Sequence, residues 1–166
     1  KVDTNKDIFD ALNEISSKNN YEEIVLSAAG PVSENKISMT NRALEISATD
    51  LEKELNVKEC HLLNDWESIG YSLPLMTKND FNVIKSGNMD NSQTCLAIGP
   101  GTGLGFSVLR HVGNVPYVYP TELGNARSYN DHLSNLFDIS NSKNFIVLED
   151  YLSGTGIKKI YAEKSG

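Results

Sequence analysis

The sequence has 166 residues, of which 39% are hydrophobic and 22% charged, and its formal net charge is −7 at pH 7. This composition is typical of a globular chain of one or two modest domains and argues against disorder. The negative charge argues against nucleic-acid binding, which depends on a basic surface. No apolar run approaches the roughly 18 residues of a membrane span, and Cys60 and Cys95 form no zinc or disulfide pattern. The sequence therefore predicts a cytoplasmic protein that binds neither nucleic acid nor a membrane.

The first half of the chain alternates between helical and strand patterns. Ile8, Leu12 and Ile15 recur at helical spacing, which predicts an amphipathic helix over residues 7–18. A compact apolar run over residues 22–29 then predicts a strand. Further strands are predicted at 36–40, 43–46 and 60–63, with one helix opened by a capping box of Thr49 and Glu52 and extending to Val57, and another over 66–73 that Pro74 ends.

The second half contains a predicted linker followed by a hairpin. Residues 79–91 are polar and rich in asparagine, as in a hinge between domains. Two apolar runs, 94–98 and 106–109, flank a glycine-rich turn and predict paired strands. A third strand at 115–119, a helix at 131–139 and a final helix at 157–163 capped by residues 153–156 complete the pattern. The alternation of strands and helices predicts an α/β fold.

The turn of this hairpin contains four glycines within seven residues, Gly99, Gly101, Gly103 and Gly105. Glycine lets the backbone approach a ligand closely, and successive N–H groups can form a nest for an anion. The glycine spacing does not match the dinucleotide-binding fingerprint, and no lysine follows as a P-loop requires. A phosphate site on a strand–turn–strand unit is therefore one interpretation. An ordinary tight turn without a ligand is the other, and glycine spacing alone does not separate them.

Asn64 and Asp65 lie where a predicted strand ends and a helix begins. In open α/β sheets the ligand crevice lies outside the carboxyl ends of the strands. An aspartate there can accept a proton from a substrate hydroxyl, and an asparagine can bond a neighbouring hydroxyl. The alternative is that Asp65 only caps the helix, which is the commoner role for an aspartate at that position.

Three further polar segments lie at the ends of predicted elements. Thr40 and Asn41 end a strand, residues 121–125 form a loop, and Glu149 precedes the final helix. Each is ordinary alone, but together they offer the hydrogen-bonding groups that a polyhydroxylated ligand requires. The three histidines, His61, His111 and His132, share no metal-ligand spacing, so no metal site is predicted on the chain.

Six short motifs occur in a fixed order at 29–32, 39–41, 63–66, 99–105, 120–124 and 151–157. In this order they resemble the bacterial-type glucokinases of the actin-like hexokinase superfamily. The resemblance implies an actin-like (ribonuclease H-like) two-domain kinase fold of the α/β class, incomplete in this chain. It assigns residues 1–88 to the small domain, with the sugar side and the catalytic aspartate, and residues 89–166 to the large domain.

The resemblance also implies a role for each matching residue. Asp65 corresponds to the base that deprotonates the sugar 6-hydroxyl. The predicted sugar-binding residues are Asn41, Asn64, Asp65, Glu122, Asn125 and Glu149. The predicted contacts to the phosphates of ATP, which would bind with Mg²⁺, are Gly101, Thr102 and Gly103. Where the family loop ends in Gly-Gly-His, this chain has Leu123, Gly124 and Asn125.

The family's first phosphate loop, Asp-x-Gly-Gly-Thr, and its adenosine-binding segment have no counterpart in this sequence. Because the chain begins with lysine rather than methionine, we expect the natural start to lie upstream. An ATP-dependent glucokinase acting on glucose or a related hexose is predicted, with the isolated 166-residue chain inactive. The alternative is a non-catalytic sugar-binding or sugar-sensing relative, against which the retention of Asp65 and the glycine-rich turn argues. The hexose, the phosphoryl donor and the oligomeric state, including a homodimer, are left open.

Overall fold

The computed structural model describes residues 8–39, 43–88, 90, 92–127, 130–140 and 142–165. The chain divides into two compact units, Lys1–Asp65 and Trp66–Gly166. Within the described ranges no helix is long and apolar enough to cross a membrane. The assignment of residues 1–88 and 89–166 to the small and large domains of a kinase concerns a whole enzyme and stays a prediction.

The first unit combines a parallel strand pair with a small antiparallel sheet. Strands β1 (Glu23–Ala28) and β5 (Glu59–Asn64) run parallel, and their register places Ala28 opposite Asn64 at the carboxyl ends. Strands β2 (Val32–Ser33), β3 (Lys36–Ser38) and β4 (Glu45–Ser47) form the antiparallel sheet in that order. The elements are α1 (Ile8–Ser16), β1 (Glu23–Ala28), β2 (Val32–Ser33), β3 (Lys36–Ser38), β4 (Glu45–Ser47), α2 (Ala48–Leu55) and β5 (Glu59–Asn64).

The core of the first unit forms where the apolar faces of these elements meet. Ile37 and Ile46 face each other across β3 and β4, and both are fully buried together with Leu51 of α2. Ile8 and Leu12 of α1 pack against this cluster, as the helical spacing predicts, whereas Ile15 is exposed. Burial of such side chains stabilises a fold by about 1.5–3 kcal/mol each.

Helix α2 begins earlier than the capping box predicts. Its N-cap is Ser47, whose hydroxyl accepts a hydrogen bond from the N–H of Asp50 at 3.3 Å. The prediction of a Thr49 cap was therefore wrong, because Ser47 ends strand β4 in an extended conformation and is already placed to accept that bond. The helix ends at Leu55, and Asn56 adopts a left-handed conformation with φ of 52° as the C-cap.

The second unit contains the predicted hairpin as part of an antiparallel sheet of β6 (Cys95–Pro100), β7 (Leu104–Val112) and β8 (Val115–Thr121), in that order. Helix α5 (Glu149–Leu152) was not predicted. Helix α6 (Gly154–Ser165) begins three residues before its predicted start. Residues 79–88 contain no helix or strand, but they lie within the second unit, because the two units meet at Asp65 and Trp66; a hinge at 79–91 stays a prediction. The elements are α3 (Asp65–Ser72), β6 (Cys95–Pro100), β7 (Leu104–Val112), β8 (Val115–Thr121), α4 (Asn130–Leu136), α5 (Glu149–Leu152) and α6 (Gly154–Ser165), with short 3₁₀ turns at Leu73–Leu75, Leu123–Asn125 and Ser142–Asn144.

Helices lie on both faces of the β6-β7-β8 sheet. On one face α3 approaches closely at Gly70, where a Cβ would lie 2.6 Å from Val118. On the other face Ile98 and Leu104 line an apolar cavity of about 370 Å³ with Phe137, which follows α4, and with side chains of α5 and α6. Tyr151, 1% exposed, anchors those helices and shares a 2.7 Å hydrogen bond with Ser134. The sheet therefore lies between α3 on one face and α5 and α6 on the other.

Candidate functional site

Asn64 and Asp65 lie at the carboxyl end of strand β5, as predicted. Asn64 is the last residue of the strand, and Asp65 is the first residue of α3, with no loop between them. Both side chains are half-buried. A carboxylate in the first turn of a helix is favoured by the helix dipole. The position therefore suits either a helix-terminal carboxylate or a base that faces a ligand at the end of the strand.

A backbone carbonyl fixes the orientation of Asn64. Its side-chain Nδ2 donates a hydrogen bond to the carbonyl of Gly30 at 3.0 Å. Gly30 must be glycine, because a Cβ there would lie 2.0 Å from the carbonyl oxygen of Ser38. The motif at residues 29–32 therefore positions a predicted sugar-binding side chain through its backbone.

The turn at residues 101–103 leaves two backbone donors exposed. Gly101 donates its N–H to the carbonyl of Gly103 at 2.8 Å, which closes the turn. Among the residues that the structure describes, the N–H groups of Thr102 and Gly103 have no hydrogen-bond partner. Thr102 is exposed and Gly103 is half-buried. Two adjacent backbone donors on an accessible turn can bind an anion.

The other two glycines of this stretch make room for a tryptophan. Gly99 and Gly105 are paired across β6 and β7. A Cβ at either position would lie 1.7 Å from an atom of the Trp66 indole ring. The four glycines therefore serve two purposes, which their even spacing in the sequence did not distinguish. Gly101 and Gly103 form the turn, whereas Gly99 and Gly105 let Trp66 lie flat on the strands.

Glu149 contacts the hairpin directly. Its carboxylate oxygen Oε2 accepts a hydrogen bond from the N–H of Leu104 at 2.8 Å. The same oxygen lies beside Gly103, where a Cβ would approach it to 2.7 Å. A residue predicted from the family resemblance to bind sugar therefore also holds the end of the predicted phosphate turn, across 45 residues of sequence.

Glu122 and Asn125 come together in the 3₁₀ turn that follows β8. The N–H of Asn125 donates to the carbonyl of Glu122 at 2.9 Å, and its side chain lies 3.5 Å from the Glu122 carboxylate. Both side chains are exposed. Gly124 between them is buried, and a Cβ there would lie 2.5 Å from the carbonyl oxygen of Leu104. Leu104 is therefore the common neighbour of the Glu122 turn and of Glu149.

Asp150 stabilises the segment that carries Glu149. Burial opposes its ionisation, but hydrogen bonds from Lys159 and from the N–H groups of Ile146 and Val147 outweigh that cost. The pKa of Asp150 is consequently below its usual value. The ionised carboxylate ties α5 to α6 through Lys159 and holds the chain before Glu149 in place.

Two further expectations concern Asn41 and the absence of a metal site. Asn41, predicted to bind sugar, lies outside the described residues. Within the ranges the structure describes, no group of three or more His, Cys, Asp or Glu side chains could hold a metal ion. Sequence reasoning did not find the contacts of Trp66, Gly154 and Thr155 with the hairpin. Gly154 and Gly156, which flank Thr155 at the start of α6, are the sequence pattern that could have indicated close packing there.

Comparison with known proteins identifies relatives over nearly the whole chain. A family model described as Glucokinase matches residues 3–165. A curated glucokinase from Colwellia psychrerythraea is 32% identical over 157 residues, which is 93% of this chain and 48% of that protein. The chain thus spans about half the length of the curated relatives it matches.

Two solved structures have a similar fold. One is the crystal structure of a glucokinase from an Antarctic psychrotroph, with a TM-score of 0.79 and 23% sequence identity. The match covers 95% of this chain and 51% of that glucokinase chain. The other is the structure of a glucokinase from Balamuthia mandrillaris in complex with glucose, with a TM-score of 0.59 and 19% sequence identity. The match covers 95% of this chain and 53% of that glucokinase chain. These likenesses confirm the prediction of an incomplete actin-like kinase fold.

Proposed function

Because this chain belongs to the glucokinase family, we propose that the natural protein carrying it transfers a phosphoryl group from ATP to the 6-hydroxyl of glucose. The observation that carries the proposal is the exposed turn in which the N–H groups of Thr102 and Gly103 have no partner among the described residues and Gly103 lies beside the Glu149 carboxylate. One side of that turn suits phosphate oxygens, and the other carries a carboxylate of the kind that binds sugar hydroxyls.

In this proposal Asp65 is the general base. Its half-buried carboxylate at the end of β5 accepts the proton of the sugar 6-hydroxyl while that oxygen attacks the γ-phosphorus of ATP. The bond from the γ-phosphorus to the bridging oxygen breaks, and ADP leaves. A positioned base contributes about 10²–10⁴ in rate, and most of the remainder comes from alignment and charge stabilisation.

The sugar is held by hydrogen bonds from several short segments. Asn64, fixed by the Gly30 carbonyl, offers its amide to a hydroxyl near the reacting one. Glu122 and Asn125 offer an acceptor and a donor from one turn. Glu149 and Asn41 complete the proposed set. The glucose bound in the Balamuthia mandrillaris relative supports glucose as the hexose.

The phosphates of ATP would lie against the N–H groups of Thr102 and Gly103. The carboxylate of Glu149 stands beside this turn and repels a bare anion. Mg²⁺ bound to ATP offsets the phosphate charge. The described residues offer no cluster that would hold a metal by itself, so in this proposal the ion arrives with the nucleotide.

A cytoplasmic location and a homodimer remain predictions.

A coupled assay for glucose 6-phosphate tests the proposal, run on the natural protein and on the 166-residue chain in parallel. We expect turnover with ATP and glucose from the natural protein and none from the short chain, because only one phosphate hairpin is present in these residues. If the natural protein binds glucose without turnover, the sugar-sensing alternative is correct. Titration of Trp66 fluorescence with D-glucose, with L-glucose as the control, detects that binding.

A further inference from the structure

The first two residues of α6 bind the hairpin turn. Gly154 donates its N–H to the carbonyl of Gly101 at 2.8 Å. Thr155 donates its hydroxyl to the carbonyl of Thr102 at 3.1 Å. Two successive residues of the helix therefore hold two successive carbonyl groups of the turn, across more than 50 residues of sequence.

The start of α6 is itself firmly placed. The buried Ser153 accepts a hydrogen bond from the N–H of Gly156 at 2.9 Å and so caps the first turn of the helix. Gly156 packs on the backbone of α5, where a Cβ would lie 2.6 Å from the carbonyl oxygen of Asp150. Gly154 permits close approach to the turn, because a Cβ there would lie 3.0 Å from the oxygen of Gly101.

Because each peptide group is planar, these contacts also set the direction of the N–H groups of Thr102 and Gly103. The carbonyl of Gly101 and the N–H of Thr102 belong to one trans peptide group and point in opposite directions. The carbonyl of Thr102 and the N–H of Gly103 are related in the same way. Anchoring both carbonyls on α6 therefore turns both unpartnered N–H groups away from the helix.

The next peptide group of the turn is held from both sides. The carbonyl of Gly103 accepts from the N–H of Gly101, and the N–H of Leu104 donates to Glu149. All three consecutive peptide planes of the turn thus have a fixed orientation. A nest binds an anion well only if its donors are aligned before the anion arrives, because their ordering then costs nothing on binding.

We propose that Gly154 and Thr155 are positioning residues that align the N–H groups of Thr102 and Gly103 for the phosphates of ATP. This inference rests on the proposed function, in which those two donors bind the nucleotide. Neither residue touches the nucleotide in this account. Both act through the carbonyl side of the peptide groups whose N–H side faces it.

The test uses the natural protein and compares Thr155→Val, which removes the hydroxyl and keeps the shape, with Thr155→Ser, which keeps the hydroxyl. We expect Thr155→Val to raise the KM for ATP about 3- to 10-fold, the value of one ordinary hydrogen bond, and to leave the KM for glucose within about twofold. Thr155→Ser should restore the KM for ATP. Gly154→Ala should raise it further. The matched control is Gly87→Ala, where no atom of the described residues lies within 4 Å of the added Cβ.

A second measurement separates failure of the inference from failure of the proposed function. The carbonyl ¹³C chemical shift of Thr102, measured by NMR without nucleotide, should move in Thr155→Val and not in Thr155→Ser. An unchanged shift overturns the inference whatever the activity. A changed shift with an unchanged KM for ATP also overturns it. Absence of kinase activity in the wild-type natural protein overturns the proposed function, and the chemical shift then still decides whether Thr155 holds the turn.

Discussion

The two compact units place their predicted site residues by different means. In the first unit, Asn64 and Asp65 follow directly from a regular element, because they lie where a parallel strand ends and a helix begins. In the second unit, the predicted phosphate turn and Glu149 are joined by single hydrogen bonds between segments that are far apart in sequence. A strand end can be predicted from local pattern, whereas a contact such as that between Glu149 and Leu104 depends on the packing of the whole unit.

Glycine shows the same contrast. Gly30 in the first unit makes room for a backbone carbonyl, that of Ser38. Gly99 and Gly105 in the second make room for a side chain, that of Trp66. Replacement of Gly30 would have to displace the backbone, whereas the effect of replacing Gly105 depends on which residue occupies position 66. The comparison can therefore be sharpened by experiments on the natural protein, beginning with the largest expected effect.

Asp65→Asn tests the strand-end residue of the first unit. The change keeps the size of the side chain and its capacity to cap α3 while removing its basicity. We expect kcat to fall by about 10²–10⁴ and the affinity for glucose to change much less. Steady-state kinetics with Asp10→Asn, an exposed aspartate of α1, as the control measures this. A nearly normal kcat would leave Asp65 as a helix-terminal residue only.

Gly105→Ala tests the packing of the hairpin against Trp66. The new methyl group would overlap the indole ring, so we expect a loss of about 1–3 kcal/mol in stability, seen as a lower Tm. In a Trp66→Ala background the same change should cost much less, since the overlapping ring is gone. Thermal unfolding of the four proteins in this double-mutant cycle gives the coupling. Equal costs in both backgrounds would contradict the packing described for Gly105.

Two substitutions of Glu149 separate its two contacts. Glu149→Gln keeps an oxygen that can accept from the Leu104 N–H but loses the charge offered to the sugar. We expect its KM for glucose to rise about 10- to 100-fold and its KM for ATP to stay within about twofold. Glu149→Ala should raise both KM values, because the turn also loses its anchor. Identical effects of the two variants on ATP would show that the bond to Leu104 does not matter for nucleotide binding.

Substitution of Asp150 has the smallest expected effect on stability, and the direction in which that effect changes with pH follows from the lowered pKa of Asp150. Because its pKa is lower in the folded protein than in the unfolded chain, its contribution to stability is present at neutral pH and is lost as the pH falls through the folded pKa. We expect Asp150→Asn to lower stability by about 1 kcal/mol at pH 7, and the difference from wild type to shrink below about pH 4. Unfolding curves between pH 7 and pH 3 measure this. A difference independent of pH would contradict the ionic role of Asp150.

The sequence by itself determined the α/β class, the hairpin around residues 101–103 and the position of Asp65 at a strand end. These follow from local pattern, because side-chain periodicity and glycine spacing set the type of each element. The resemblance to the family also predicted site roles for Glu122, Asn125 and Glu149, and these stay predictions. The start of α2 shows the limit even of local rules, since Ser47 and Thr49 are both acceptable caps and the end of β4 decided between them.

Only the tertiary structure decided what holds the turn. The bond from Glu149 to Leu104, the docking of Gly154 and Thr155, and the contact of Trp66 with two glycines link segments up to 53 residues apart. No periodicity encodes such pairs, because they arise when α3 packs on one face of the sheet and α5 and α6 pack on the other. The same glycine-rich stretch is compatible with an empty turn or a phosphate nest. The direction of the N–H groups of Thr102 and Gly103, on which the proposed phosphate nest depends, is set by the bonds from α6 to the carbonyls of Gly101 and Thr102.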